Sequence, residues 1–280
     1  MRGRVLAVLS FSVCSSWTMA QSSDCAISGS ERVALARLIN APSQTAYDGS
    51  ILYEHSGGRQ FVSVTWPEES GQGQLRRLNS HEDPEPELWR QAISPVGTVC
   101  QLDRVYSVSV EEGRVIAGRS TQRVSLRPRD TLRLAQVFEL DRDTGIALAA
   151  MAVDPGGSVL ERFEFADIAL RALPQPALAP APEREMARRE VIPGYHVLAP
   201  HSERGAVVVS DGLATASVFV EPLPPGSPAG EGATQRGATL TYARGVLDGQ
   251  QGVLITVMGE IPIVTARLLA DSVHRSSSAP

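Results

Sequence analysis

"LRLAQVFELDRDTGIALAAMAVDPGGSVLERFEF" spans residues 132–165, and its reading decides the fold. Leu132 to Leu140, Ile146 to Val153 and Val159 to Phe165 are apolar or alternating runs of strand length, punctuated by Asp143-Thr144-Gly145 and Pro155-Gly156-Gly157. Turns this short join antiparallel neighbours, so the stretch predicts a meander. Working back along the chain, Gln122 to Leu126, Arg114 to Ala117, Val105 to Val110, Arg59 to Trp66 and Ser50 to His55 continue the pattern, with Glu112-Gly113 and Gly57-Gly58 as turns. Within Arg59 to Trp66, Val62, Val64 and Trp66 share one face and Phe61, Ser63 and Thr65 the other. The first face is core or cavity wall. Ahead of the strands, Ser30 to Ile39 carries a capping residue and a broad apolar face, which predicts a helix that stops before Pro42.

Working forward, four prolines between Pro174 and Pro182 predict an extended linker that few contacts cross. Beyond it Ala206 to Ser210, Ala214 to Val220, Ala238 to Tyr242 and Val253 to Met258 read as strands, and Pro222 to Gly232 as a flexible hairpin tip. Gly259-Glu260-Ile261-Pro262 then opens a terminal helix, with Pro262 suited to the first turn and Glu260 near the positive end of the dipole. Ile263, Ala266, Leu269, Ala270 and Val273 recur at helical spacing and should pack inward. The expected class is α+β, mainly β. Its expected parts are a signal peptide at 1–20, a large unit at 21–172, a linker at 173–189, a small unit at 190–273 and a disordered tail at 274–280.

The signal peptide rests on Arg2 and Arg4, the apolar run Val5 to Val13 and the small residue closing Thr18-Met19-Ala20. Export places the protein outside the cytoplasm. The formal charge of -5 moves to -7 when two arginines leave with residues 1–20, which gives no support for nucleic-acid binding. All 26 basic residues are arginine, a side chain suited to planar, bidentate contacts. Cys25 and Cys100 remain after export; they either pair across a long loop or stay two buried thiols.

No chemistry-bearing motif emerges. The five histidines are scattered, and His196 and His201 are spaced wrongly for two ligands on one helical face. There is no nucleophile elbow, phosphate loop or paired-histidine metal motif, so neither cofactor nor metal is expected and the chain does not read as an enzyme. Ser210-Asp211-Gly212 reads as a turn. Arg119, Arg127 and Arg129 form either an ion-pair cluster with Asp130 and nearby acids or a polar patch for an anionic headgroup or acidic peptide.

Several long segments carry a family resemblance. "GRVIAGR" (113–119), "LRPRDTLRLAQVFELDRDTGIALAAMAVD" (126–154), "LERFEFADIAL" (160–170), "VVSDGLATASVFVEPL" (208–223) and "VMGEIPIVTARLLADSV" (257–273) together resemble the MucB/RseB family, and "AYDGSILYEHSG" (46–57) does so more weakly. The resemblance implies a large domain similar to the lipoprotein carriers LolA and LolB, a curved antiparallel half-barrel with covering helices, followed by a small domain. It implies a periplasmic regulator of the envelope-stress factor sigma-E that binds the periplasmic region of a membrane-anchored RseA-like anti-sigma factor. Shielding of that factor from the site-one protease, release by lipopolysaccharide or related lipid, and only indirect membrane association follow from the same likeness. A lipid or lipoprotein carrier is the alternative. Between Trp66 and Tyr106 the chain is shorter than is usual in the family. Tyr53, Val62, Val64 and Trp66 are expected to line an apolar cavity, unless the shortening lets it collapse into core. Asp211, Glu260, Arg267 and Asp271 are expected as exposed charges at the partner's dock.

Overall fold

A computed structural model describes residues 25–27, 29–66, 73–78, 87–89, 97–173, 190–198, 206–224, 226–248 and 251–277. The expected signal peptide, the linker prolines and much of the shortened segment lie outside these residues. Helix α1 (Gly29–Gln44) leads into β1 (Thr45–His55), β2 (Gly58–Trp66), β3 (Gly73–Arg77) and β4 (Glu87–Trp89). A short helix, α2 (Val99–Val105), precedes the meander of β5 (Tyr106–Ile116), β6 (Arg119–Pro128), β7 (Ala135–Asp141), β8 (Ala147–Val153) and β9 (Val159–Ala172). These strands form one antiparallel sheet in the order β4-β3-β2-β1-β9-β8-β7-β6-β5. The long return of β9 onto β1, from Thr45↔Ala172 to His55↔Glu161, joins the early hairpin to the meander.

The second sheet holds β10 (Glu190–Ile192), β11 (Tyr195–Val197), β12 (Val207–Ser210), β13 (Thr215–Pro222), β14 (Gly230–Arg236), β15 (Thr239–Asp248) and β16 (Gln251–Gly259), ordered β10-β11-β12-β13-β16-β15-β14. Helix α3 (Ile263–Ser277) follows. Mainly β architecture with open antiparallel sheets and three helices is therefore observed among the described residues.

Several local readings need correction. The runs expected at Val105 to Val110 and Arg114 to Ala117 merge into one strand, Tyr106–Ile116, because the expected turn at Glu112-Gly113 is a register shift between Glu112 and Val115 and not a reversal. Helix α1 passes through Pro42, which withholds an N–H from the Leu38 carbonyl two residues before the helix ends at Gln44; Ala41 and Pro42 are buried against the core, and the Pro42 carbonyl, lacking a helical donor so near the end, accepts the Trp66 indole N–H at 2.9 Å. Gly230 to Gly232, expected in a flexible tip, begins β14, which pairs with β15 from Gly230↔Gly245 to Arg236↔Thr239. The terminal helix runs to Ser277, past the expected end at Val273, since neither Gly nor Pro interrupts residues 263–277. Thr98 and Gln101 form a capping box for α2, an N-terminal signal that the sequence reading overlooked.

The large core lies between α1, α2 and one face of the nine-stranded sheet. Leu35, Leu38 and Leu102 from the helices meet Tyr47, Val64, Val124, Phe138, Leu148 and Phe165 from the strands. Tyr47 packs edge-on against Phe165, with ring centroids 5.7 Å apart. The shift beside Ser50 and Ile51 brings the backbone of β9 against Gly49, where a Cβ would collide with the Asp167 carbonyl oxygen. Gly49→Ala should therefore lower stability by about 1–3 kcal/mol, the usual cost of overpacking. Urea denaturation checks this; an unchanged midpoint would show that β9 can move away freely.

In the smaller core, Ala266, Leu269 and Ala270 of α3 cover Val218, Leu240, Tyr242, Ile255 and Val257. Ile263 was expected in this face but is exposed. At about 100° per residue it sits roughly 90° from the centre of the buried stripe formed by Thr265, Ala266, Leu269 and Ala270.

Candidate functional site

The face of the large sheet that carries the core continues beyond the reach of the helices. Residues alternate along each strand, so Ile51 and Tyr53 of β1, Gln60 and Val62 of β2, and Glu161 and Phe163 of β9 extend the same surface. They line a cleft of 720 Å³. Its opposite wall comes from the small sheet: Thr234 and Arg236 of β14, Thr239 and Thr241 of β15, and Met258 and Glu260 at the end of β16. The pairings Thr234↔Thr241 and Thr241↔Met258 put these side chains in one cross-strand row, on the face that α3 leaves open.

Glu161 holds the roof in place. Its carboxylate accepts the Tyr53 hydroxyl at 2.7 Å and the Ala238 amide at 2.9 Å, tying β1 and β9 to the tip of the β14–β15 hairpin. Gly237 turns that tip with φ +60°, and a Cβ there would collide with Glu161 and sit 2.9 Å from the Tyr53 hydroxyl oxygen. Ala238 is fully buried against Leu134, Ala152 and Leu160. Burial, and then the carboxylate beside it, raises the Tyr53 hydroxyl well above the usual tyrosine range, so it remains a donor. Glu260 is pushed up to about 7, first by desolvation and then by the charge of Glu161.

A second junction lies where the β6–β7 loop meets the small sheet. The Leu132 carbonyl accepts the Tyr195 hydroxyl at 3.1 Å and the Thr265 hydroxyl at 2.6 Å. Arg133 is only 1% exposed. Its Nη2 donates to the Pro193 carbonyl at 2.8 Å, Nη1 pairs with Asp130, and the guanidinium lies 4.8 Å from the centroid of the Tyr195 ring. Its Nε is 2.9 Å from Asp211 Oδ2 but makes no aligned hydrogen bond, so charge is what couples these two groups. Asp211 is satisfied by the Tyr106 hydroxyl at 2.8 Å and by the amides of Leu213 and Ala214 at 2.9 and 2.8 Å. Burial pushes its carboxyl up from the ordinary aspartate range. The Gly97 amide adds a bond to the Gly212 carbonyl at 2.8 Å. The two units therefore meet through a buried ion pair and two buried tyrosines, while the linker prolines, which few contacts were expected to cross, lie outside the described residues.

The sequence-derived candidates divide accordingly. Tyr53 and Val62 line the cleft. Val64 is 1% exposed and belongs to the core, and Trp66 packs against that core with its indole N–H committed to Pro42. Arg119, Arg127 and Arg129 do not converge. Arg119 makes a bidentate pair with Asp141 at 2.7 and 3.0 Å, while Arg127 stands about 26 Å away at the other end of β6. Arg129 lies near Asp103, at 3.7 Å. Asp211 forms the expected turn but is buried, where it meets Arg133 from the β6–β7 loop of the large unit. Glu260 faces the cleft. Arg267 pairs with Glu231 at 2.7 Å and Asp271 with Arg244, both on the outer surface of the small unit. Cys25 and Cys100 form a disulfide with Cα atoms 5.0 Å apart. Glu161 and Arg133 were missed as site residues; both stand in strand-like runs, and nothing local marks them.

Among the described residues no group of three or more His, Cys, Asp or Glu is placed to hold a metal ion, and no helix is long and apolar enough to cross a membrane. Two open antiparallel sheets, each covered by helix on one face and facing one another across a polar and apolar cleft, define a two-unit, mainly β protein. Residues 63–191 match the MucB/RseB N-terminal domain and residues 188–274 the MucB/RseB C-terminal domain. The chain belongs to the MucB/RseB family. It is 28% identical to the sigma factor AlgU regulatory protein MucB of Pseudomonas aeruginosa over 289 residues, covering 88% of this chain and 91% of that protein. Similar solved structures include the Pseudomonas aeruginosa MucA/MucB complex, at 24% identity and TM-score 0.65, and MucB in complex with MucA(peri), at 26% and 0.64. Each match covers 86% of this chain and 97% of the solved one.

Proposed function

We propose that this protein is a periplasmic, non-enzymatic regulator of the envelope stress response, which binds the periplasmic region of an RseA-like anti-sigma factor. By occupying that region it protects the factor from site-one proteolysis and so restrains sigma-E. The observation that carries this reading is the likeness, over nearly the whole solved chain, to MucB in complex with MucA(peri). Titration of the protein with the periplasmic segment of its anti-sigma factor, followed by digestion with the site-one protease, tests it. A stable complex and slowed cleavage are expected; no binding, or cleavage at the free rate, overturns the proposal.

The exposed charges of α3 are proposed contacts. Arg267→Glu breaks a surface pair with Glu231 and should change stability by no more than about 0.5 kcal/mol. The same substitution should weaken the complex measurably. Unchanged affinity in folded protein would move the dock elsewhere. Lipid or lipopolysaccharide sensing is proposed for the cleft, whose Ile51, Val62, Leu75 and Phe163 offer an apolar wall to acyl chains. A carrier that releases lipid without a protein partner is the competing reading of the same wall. Native mass spectrometry with lipid A or a fatty acid decides whether lipid enters at all, and absence of a bound species at saturation removes sensing from the account.

A further inference from the structure

The cleft walls place two carboxylates, one on the large sheet and one at the end of a strand of the small sheet, along one half-open cavity. Glu161 belongs to β9 and is already engaged by Tyr53 and the hairpin tip. Glu260 follows β16 and lines the same cavity. We propose that Glu260 and Glu161 form a proton-operated latch between the two sheets: a proton on Glu260 lets the hairpin stay seated on Glu161, and its loss favours opening of the cleft. The latch belongs to the chain itself and needs no partner.

The electrostatics follow from the geometry. Bringing the sheets together strips water from Glu260 and sets it beside an anion whose lone pairs hold the hairpin amide. With the cleft closed Glu260 lies at about 7, against an ordinary 4.5. Opening returns it to water. Closure therefore takes up a proton within that window, and falling pH favours the closed form. Between pH 8 and pH 5.5 the closing equilibrium should gain roughly thirty-fold, with little further change above pH 8 or below the ordinary carboxylate range.

Among the described residues, the other titratable or charged groups lining the cleft are Tyr53 of β1, Arg77 of β3, Arg162 of β9 and Arg236 of β14. Arginine keeps its charge throughout this range, Tyr53 keeps its proton, and Arg162 is paired with Glu54. His55 packs beside Tyr53, with ring centroids 5.4 Å apart, and is replaced in a control.

The Ala238 amide is a built-in reporter, since it is bonded to Glu161 only while the hairpin is seated. Hydrogen exchange at Ala238 in the full chain, divided at each pH by the intrinsic exchange rate, should show protection rising roughly thirty-fold from pH 8 to pH 5.5. The same rise is expected in a His55→Gln background. In Glu260→Gln, which cannot ionise, protection should be high and independent of pH. A parallel rise in Glu260→Gln, loss of the rise in His55→Gln, or a flat wild-type profile would overturn the latch. If Glu260→Gln fails a thermal-melt check of folding, the wild-type and His55→Gln profiles decide alone. No partner enters the measurement, so its failure leaves the anti-sigma-factor assignment intact.

Discussion

Arg133→Ala should destabilise the protein by about 3–5 kcal/mol, the range expected when one member of a buried ion pair is removed. The cost arises from what stays behind. Asp211 is 2% exposed and would lose the only cation paired with it among the described residues, while the Pro193 carbonyl would lose its donor and Tyr195 the guanidinium beside its ring. Asp211→Ala should cost a comparable amount, because it leaves the buried Arg133 guanidinium with only the part-exposed Asp130 as counter-charge and removes the acceptor of the Tyr106 hydroxyl and of two turn amides. The paired substitution Arg133→Ala with Asp211→Ala should lose clearly less than the sum of the single changes, since neither charge then faces a missing partner. Urea denaturation of the four proteins checks this, and strict additivity would mean that the two groups are not coupled. The same loop carries Leu132, whose carbonyl serves Tyr195 and Thr265 together. Loss of the pair should therefore also weaken the seating of the small sheet on the large one.

Breaking the disulfide with Cys25→Ser and Cys100→Ser should lower stability by about 4 kcal/mol on the chain-entropy account, because the bond closes a loop with a sequence separation of 75. It pins the segment before α1 to α2, beside a bond from the Ile27 amide to Asp103 at 3.0 Å. Arg32 donates to Cys25 Sγ at 3.0 Å and should remain near the serine hydroxyl. The measurement is the urea midpoint of the double variant against the oxidised protein, with reduced wild type as a second comparison. A loss below about 1 kcal/mol would show that contacts of α1 and α2 already close the loop in the unfolded ensemble.

What the sequence determined by itself is local in origin. The period of two in 132–165, broken by Asp143-Thr144-Gly145 and Pro155-Gly156-Gly157, produced adjacent antiparallel strands, because short turns leave a strand little choice of neighbour. The turn at Ser210-Asp211-Gly212 was equally legible, since an aspartate accepting amides two and three residues ahead needs only its own segment. So were Ala266, Leu269 and Ala270 as the buried face of α3, whereas Ile263 lies at its margin and the side chain of Val273 is outside the described residues. Tertiary structure decided the rest. Nothing near Gly113 announces that it lies in a register shift within one strand, and nothing near Asp211 announces burial, because its charge is met by an arginine in a loop of the other unit. The disulfide was open from sequence, where spacing alone does not fix whether two cysteines meet. The cleft required most. Tyr53 and Val62 could be assigned to a face from alternation alone, but whether that face became core or cavity depended on how far the helices reached and on a hairpin arriving from the other sheet. Local period sets which way a side chain points; only the packing of distant segments sets what it meets.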